Sequence, residues 1–246
     1  MSDEMLIRFS LRQRLEHLAT MIVFTGLCLT GLPQKFYEHR WAQLLLHLMG
    51  GIDRARWVHR FFGICLLVAT ILHFSGALAS MLSKRIGLTI VPNRKDFTDA
   101  IGTLRYYLGM AERPPRFDRF DYRQKFEYWG LVAGNVIMLL TGLTLYFPTL
   151  VTRFLPGQLI PAAKVAHSNE GLMAFLVIII WHIFNAHLNP DIFPMDRTIF
   201  TGRISRHRME HEHPLELARI EGRHLPEEPA SEPVEPPPGL PPPGQG

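Results

Sequence analysis

Four histidines form two pairs along the chain, and each pair brackets a nearly unbroken apolar run. His59 and His73 stand 14 residues apart, and His167 and His182 stand 15 apart. In an α-helix these separations give about 21–23 Å of rise and return the side chain to within about 60° of its starting face. Histidine is costly inside a bilayer, so such residues are usually functional. The pattern predicts imidazoles facing inward at two depths of a membrane, which suits two stacked haems.

The elements that must position these histidines are four apolar windows. Hydrophobic residues make up 47% of the 246-residue chain, and most of them are concentrated in these windows. The windows are residues 15–32, 57–82, 127–151 and 164–188. A bilayer core of about 30 Å takes about 20 mostly apolar residues to cross. The sequence therefore predicts an all-α membrane protein built as a bundle of four transmembrane helices.

The two cysteines add no chemistry of their own. Cys28 and Cys65 both lie inside predicted spans, flanked by apolar residues, and are expected to be packing thiols. The chain has no Cys-x-x-Cys-His sequence, so any haem is held without a covalent link. Residues 1–14 are charged and no small-residue cleavage site follows the first window, which predicts a retained first helix rather than a removed signal peptide.

Two connections carry apolar residues that suit helices lying in the membrane interface. Trp41–Met49 is the first such segment. In the second, apolar residues recur at helical spacing. They are Phe97, Ile101, Leu104 and Leu108.

We expect three regions along the chain. Residues 1–190 form the membrane domain, and 191–224 form a charged cytoplasmic extension. Residues 225–246 are rich in proline, glutamate and glycine, a composition that predicts a disordered tail.

Basic residues predict the orientation of the spans. Lysine and arginine are more abundant at the termini and between the second and third spans than in the other connections. Because basic residues favour the cytoplasmic side, both termini are expected to be cytoplasmic. His59 and His167 then lie at the outer level and form one pair, the outer pair. His182 lies at the inner level, with His17 and His73 as rival partners.

Glycines accompany both outer histidines. Gly63 follows His59 and Gly171 follows His167, each four residues later and therefore one turn along the same face. Small residues leave room for a flat macrocycle, and they also let helices pack closely. A single intramembrane histidine is often a hydrogen-bonded packing residue, but four at matched levels favour ligands.

The sequence resembles the four-helix di-haem cytochrome b subunits of membrane-bound oxidoreductases, especially the gamma subunit of respiratory formate dehydrogenase. The resemblance covers about residues 8–190 and includes the helix of His167 and His182. Three further segments carry it: Arg14-Leu-Glu-His17, Val58-His-Arg-Phe-Phe-Gly-Ile64 and Gln124-Lys-Phe-Glu-Tyr-Trp129. It implies a protein of the bacterial cytoplasmic membrane that carries two b-type haems.

The resemblance also implies the axial ligands. In that family the second and fourth spans hold the outer haem, and the first and fourth spans hold the inner one. Carried over, this pairs His59 with His167 and His17 with His182. Two features depart from the formate dehydrogenase subunit. The spacing of 15 in the fourth span replaces an expected 14, which predicts a local adjustment of that helix, and His73 has no counterpart.

Relatives of this kind exchange electrons with a quinone, menaquinone or ubiquinone, beside the inner haem. The segment that contributes to their quinone site corresponds here to Phe120-Asp-Tyr-Arg-Gln-Lys125. The resemblance makes Asp121 and Gln124 candidates for quinone contact, and a carboxylate there is able to relay protons. A surface loop in which Asp121 caps the following helix is the alternative.

The favoured function is electron transfer between a redox partner subunit and the quinone pool. The chain has no nucleotide-binding loop, catalytic triad or iron–sulfur cysteine cluster, so substrate chemistry is expected on the partner. That partner is a dehydrogenase, an iron–sulfur protein or a multihaem cytochrome. Membrane lipid is the other partner, and no feature suggests nucleic acid. The alternatives are a stand-alone quinol oxidoreductase and, in another class, a histidine-lined transporter or proton channel.

Overall fold

The computed structural model describes residues 4–83, 89–190, 192–223 and 225. Across these residues the protein is mainly α-helical and contains a two-stranded sheet. The all-α membrane fold expected from the sequence is confirmed. The predicted disordered tail lies outside the described residues, apart from Leu225.

Within the described residues, four helices are long and apolar enough to cross a membrane. They are α1 (Leu11–Lys35), α3 (Ile52–Leu82), α5 (Tyr122–Tyr146) and α7 (Leu159–Leu176), the last of which continues through π-helical turns at Val177–His182 and Phe184–Leu188. Many of their large apolar side chains are exposed on the protein surface, as lipid contact requires. The number of spans matches the four apolar windows.

The ends of the spans are set by local chemistry that the apolar windows do not reveal. Helix α1 begins four residues before the predicted window because Ser10 and Gln13 cap it reciprocally. The third apolar window extends to residue 151, whereas α5 ends at Tyr146. Pro148 starts a separate short helix, α6 (Pro148–Val151), because proline disfavours helical backbone in the residue before it.

The fourth span differs from the second in its backbone. Helix α3 stays α-helical over 31 residues, whereas the fourth span changes to π-helical turns at Val177. A π-turn bonds i to i+5 and so takes one more residue than an α-turn. The turn therefore absorbs the extra residue between His167 and His182, which agrees with the local adjustment that their spacing predicts.

Both predicted interfacial helices are present, as α2 (Arg40–Leu48) and α4 (Arg94–Tyr107). In α4 the apolar stripe faces outward: Phe97 is 74% exposed and Ile101 61% exposed. Asp99, on the other face, is 7% exposed. A helix with this orientation suits an apolar surface such as a membrane interface rather than bulk water.

The chain divides into two compact units. One contains the described residues within 1–4, 88–126 and 205–246. Its buried residues include Met209 and Leu217, and a short ion pair joins Arg119 to Glu216 at 2.5 Å. The other unit contains the described residues within 5–87 and 127–204, and it holds the apolar parts of the four spans.

Several short elements were not expected from the sequence. Strand β1 (Met5–Ile7) pairs with β2 (Arg203–Ser205). The charged segment after the fourth span also forms short helices, which are α8 (Thr198–Thr201), α9 (Arg206–Glu212) and α10 (Pro214–Ile220).

Candidate functional site

The outer pair lies where α3 and α7 bring two imidazoles face to edge. The ring centroids of His59 and His167 are 6.2 Å apart, and the ring planes are at 84°. Each ring approaches the neighbouring helix at a threonine: Thr30 Oγ1 lies 2.9 Å from His59 Nδ1, and Thr141 Oγ1 lies 2.9 Å from His167 Nδ1. The two rings are therefore held by the same contact on different helices.

A glycine follows each of these threonines and lets the ring come close. A Cβ at Gly31 would stand 3.0 Å from His59 Cε1, and one at Gly142 would stand 3.2 Å from His167 Cε1. These distances are tighter than ordinary van der Waals contact between carbon atoms. Any larger residue would push the imidazole away from its present position.

A second pair lies between α1 and the π-helical end of the fourth span. The ring centroids of His17 and His182 are also 6.2 Å apart, with the planes at 38°. His182 Nδ1 lies 2.5 Å from Glu127 Oε1, and the Glu127 side chain is only 13% exposed. A carboxylate on the outer nitrogen of an imidazole orients the ring and strengthens it as a metal ligand.

His73, the rival inner candidate, is occupied by other contacts. Its Nδ1 lies 3.0 Å from Glu16 Oε2, and its Nε2 lies 3.1 Å from the Tyr128 hydroxyl. Glu16 in turn accepts a hydrogen bond of 2.6 Å from Arg12 Nε. Both ring nitrogens of His73 are therefore engaged by protein side chains, and the structure pairs His182 with His17 instead.

The spacing of both pairs fits an iron held between two imidazoles. Metal–imidazole bonds are about 2.0–2.1 Å, and each ring nitrogen is about 1.1 Å from its ring centre, so two axial rings have centroids about 6.3 Å apart. The observed 6.2 Å agrees for both pairs. Among the described residues no group of three or more histidine, cysteine or acidic side chains could hold a bare metal ion. A macrocycle that supplies its own ligands fits this donor set better.

The two predicted glycines differ in their surroundings. A Cβ at Gly63 would meet nothing within 4 Å, and one at Gly171 would meet Met138 Cε at 3.5 Å. Gly63 thus leaves space beside the His59 face of α3, whereas Gly171 lies in ordinary packing contact with a neighbouring helix.

Asp121 and Gln124, the quinone candidates, form a reciprocal cap at the start of α5. Asp121 Oδ1 accepts from the Gln124 backbone N–H at 2.8 Å, and Gln124 Oε1 accepts from the Asp121 N–H at 3.2 Å. Asp121 Oδ2 is also bonded to Arg123 at 2.7 Å. Through these contacts both residues act as helix-capping groups. The cap also explains why α5 begins at Tyr122, before the apolar window that starts at residue 127.

The sequence reasoning missed the residues that hold the imidazoles. A signal for two of them was present, because Leu-Thr-Gly-Leu occurs at both 29–32 and 140–143, each time on the span before a histidine helix. Glu127 had no comparable signal. Its contact with His182 joins α5 to the end of the fourth span and is visible only in the structure.

A four-span membrane bundle with two pairs of facing histidines has the architecture of a membrane cytochrome b. Comparison with known families agrees, since the model of the family described as prokaryotic cytochrome b561 matches residues 8–194. The chain belongs to this family and is a membrane cytochrome b that functions in electron transfer. Membership of this class implies that the cofactor is haem b.

The curated relatives are subunits of formate dehydrogenases. The cytochrome b556(Fdn) subunit of the nitrate-inducible enzyme of Escherichia coli K12 is 22% identical over 219 residues, which cover 89% of this chain and 93% of that subunit. The cytochrome b556(fdo) subunit from the same strain is 24% identical over 184 residues, or 74% and 78% of the two chains. The cytochrome b556 subunit of Haemophilus influenzae is 26% identical over 188 residues, or 75% and 72%.

Proposed function

We propose that this chain holds two b-type haems and passes electrons between a partner redox subunit and the quinone pool. His59 and His167 would hold one haem, and His17 and His182 the other. The observation that carries the proposal is the equal 6.2 Å spacing of two histidine pairs on facing helices. When bound, haem supplies reversible one-electron chemistry at its iron.

The chain's own residues would position that chemistry. The pairs lie near opposite ends of the fourth span, about 21–23 Å apart along the helix. Thr30, Thr141 and Glu127 fix the ring orientations. Such an arrangement would carry electrons across most of a bilayer, with both termini on the cytoplasmic side of a bacterial inner membrane.

The partner is proposed from two considerations. The similar proteins are named as subunits of formate dehydrogenases, and the sequence of this chain has no nucleotide-binding loop, catalytic triad or iron–sulfur cysteine cluster. We therefore place substrate chemistry on a dehydrogenase, iron–sulfur or multihaem cytochrome subunit. Residues 1–190 would form the membrane domain and 191–224 a cytoplasmic extension, followed by the tail. Co-purification of a redox subunit would separate this arrangement from a stand-alone quinol oxidoreductase.

The quinone is proposed to react at the cytoplasmic end, with Asp121 relaying protons and Gln124 nearby. Asp121→Asn tests this role, because asparagine also caps helices well and the fold should be kept. If Asp121 relays protons, quinone turnover should fall by about 10²-fold. Asp53→Asn, at an exposed site in the first turn of α3, is the matched control. If quinone turnover is unchanged in Asp121→Asn, Asp121 serves only as a helix cap.

The proposal as a whole is tested by the colour and iron content of the purified protein. Reduced-minus-oxidised absorption should show a b-type spectrum, and haem extraction should give two haems per chain. A colourless, iron-free preparation would contradict the cytochrome function and favour a histidine-lined transporter or proton channel.

A further inference from the structure

The two threonines of the outer pair form a repeated arrangement on separate helical hairpins. Thr30 on α1 contacts His59 on α3, and Thr141 on α5 contacts His167 on α7. Thr30 is buried, with 4% of its surface exposed. The same residue type, distance and position relative to the ligand occur twice, although the helices differ.

The hydroxyl protons of both threonines are directed at their own helices. Thr30 Oγ1 donates to the Gly26 carbonyl at 2.7 Å, and Thr141 Oγ1 donates to the Ile137 carbonyl at 2.6 Å. A hydroxyl has one proton to give and two lone pairs with which to accept. Toward the imidazole each threonine is therefore an acceptor, and the ring Nδ1 must donate.

This assignment leaves the proton of each ring on Nδ1. Nε2 then keeps its lone pair, which is the form of the imidazole that binds iron.

We propose that Thr30 and Thr141 are positioning residues for the outer haem. They would hold His59 and His167 with Nδ1 protonated and Nε2 directed toward the iron, while Gly31 and Gly142 allow the rings to approach. This inference rests on the proposed function, because it assumes that the outer pair binds haem. The threonines do not touch the cofactor themselves; they act through the imidazoles.

The test uses Thr30→Val and Thr141→Val in the full-length chain, with Thr30→Ser and Thr141→Ser as rescue variants. Valine keeps the shape and removes the acceptor, whereas serine keeps the hydroxyl. Thr144→Val is the control, since Thr144 is a half-buried threonine on α5 whose hydroxyl also donates to the carbonyl four residues earlier, that of Leu140. The readouts are the rate of haem transfer to apomyoglobin and the low-spin ferric signals in electron paramagnetic resonance.

The valine variants should weaken retention of one haem by about 10–100-fold, the usual cost of losing a group that orients a metal-bound histidine. One of the two ferric signals should shift, and the serine variants and Thr144→Val should behave like the wild type. Equal haem loss in the valine and serine variants would overturn the proposal. Valine variants that retain haem and show ferric signals like those of the wild type would also overturn it. A wild-type protein without haem would instead refute the proposed function.

Discussion

At the scale of single residues, the ring nitrogens separate candidate ligands from packing histidines. His59, His167 and His182 each have Nδ1 engaged by a neighbouring side chain, and each faces another imidazole at 6.2 Å. His73 has both nitrogens engaged. The sequence predicts which histidines are candidates from their spacing, but hydrogen-bond partners depend on neighbouring helices. His17 and His73 therefore could not be separated from the residues alone.

Glu127 gives a prediction at this scale. Its carboxylate lies 2.5 Å from His182 Nδ1, and a charged acceptor makes the imidazole a stronger ligand for ferric than for ferrous iron. Glu127→Gln keeps an acceptor and removes the charge, so the midpoint potential of the inner haem should rise. A redox titration with optical detection measures this. Glu38→Gln, in an exposed loop, serves as the control, and an unshifted inner haem in Glu127→Gln would contradict the role.

At the scale of elements, the apolar windows predict that four spans exist but not where each one ends. Ends depend on caps and on proline, as at Ser10 and Pro148. Strands β1 and β2 have three residues each, too few to show a period of two. Their pairing joins segments almost 200 residues apart in the sequence, which local patterns do not encode.

The π-turn of the fourth span gives a prediction for the ligand helix. Deleting Ile179 would reduce the separation of His167 and His182 to the 14 residues found between His59 and His73. The turn should then become α-helical and keep His182 on its face, so two haems are expected in a haem assay.

Deleting Val136 is the control for this experiment. Val136 lies in α5 between Glu127 and Thr141, where the helix is regular. Without a π-turn to absorb the change, the later residues should rotate by about 100° relative to the earlier ones, and haem should be lost. Equal haem loss in both deletions would contradict the idea that the π-turn adjusts the register.

At the scale of the whole molecule, the orientation of the protein in the membrane is predicted from the distribution of its basic residues rather than from packing. With both termini cytoplasmic, the loop after α1 faces outward and the loop before α5 faces inward. Glu38→Cys and Glu112→Cys place one thiol in each loop, at exposed sites. A membrane-impermeant maleimide should label Glu38→Cys in spheroplasts, and Glu112→Cys only after permeabilisation. The unsubstituted chain, whose two cysteines lie in spans, controls for background, and the reverse labelling pattern would contradict the orientation.

The central claim is that two haems are each held between two histidines from different spans. The most direct measurement is the haem content per chain of the wild type and of His59→Ala, His17→Ala and His73→Ala. Two haems are expected in the wild type and in His73→Ala, and one in each of the other variants. If His73→Ala lost a haem while His17→Ala kept both, or if His59→Ala kept both, the ligand assignment would be wrong.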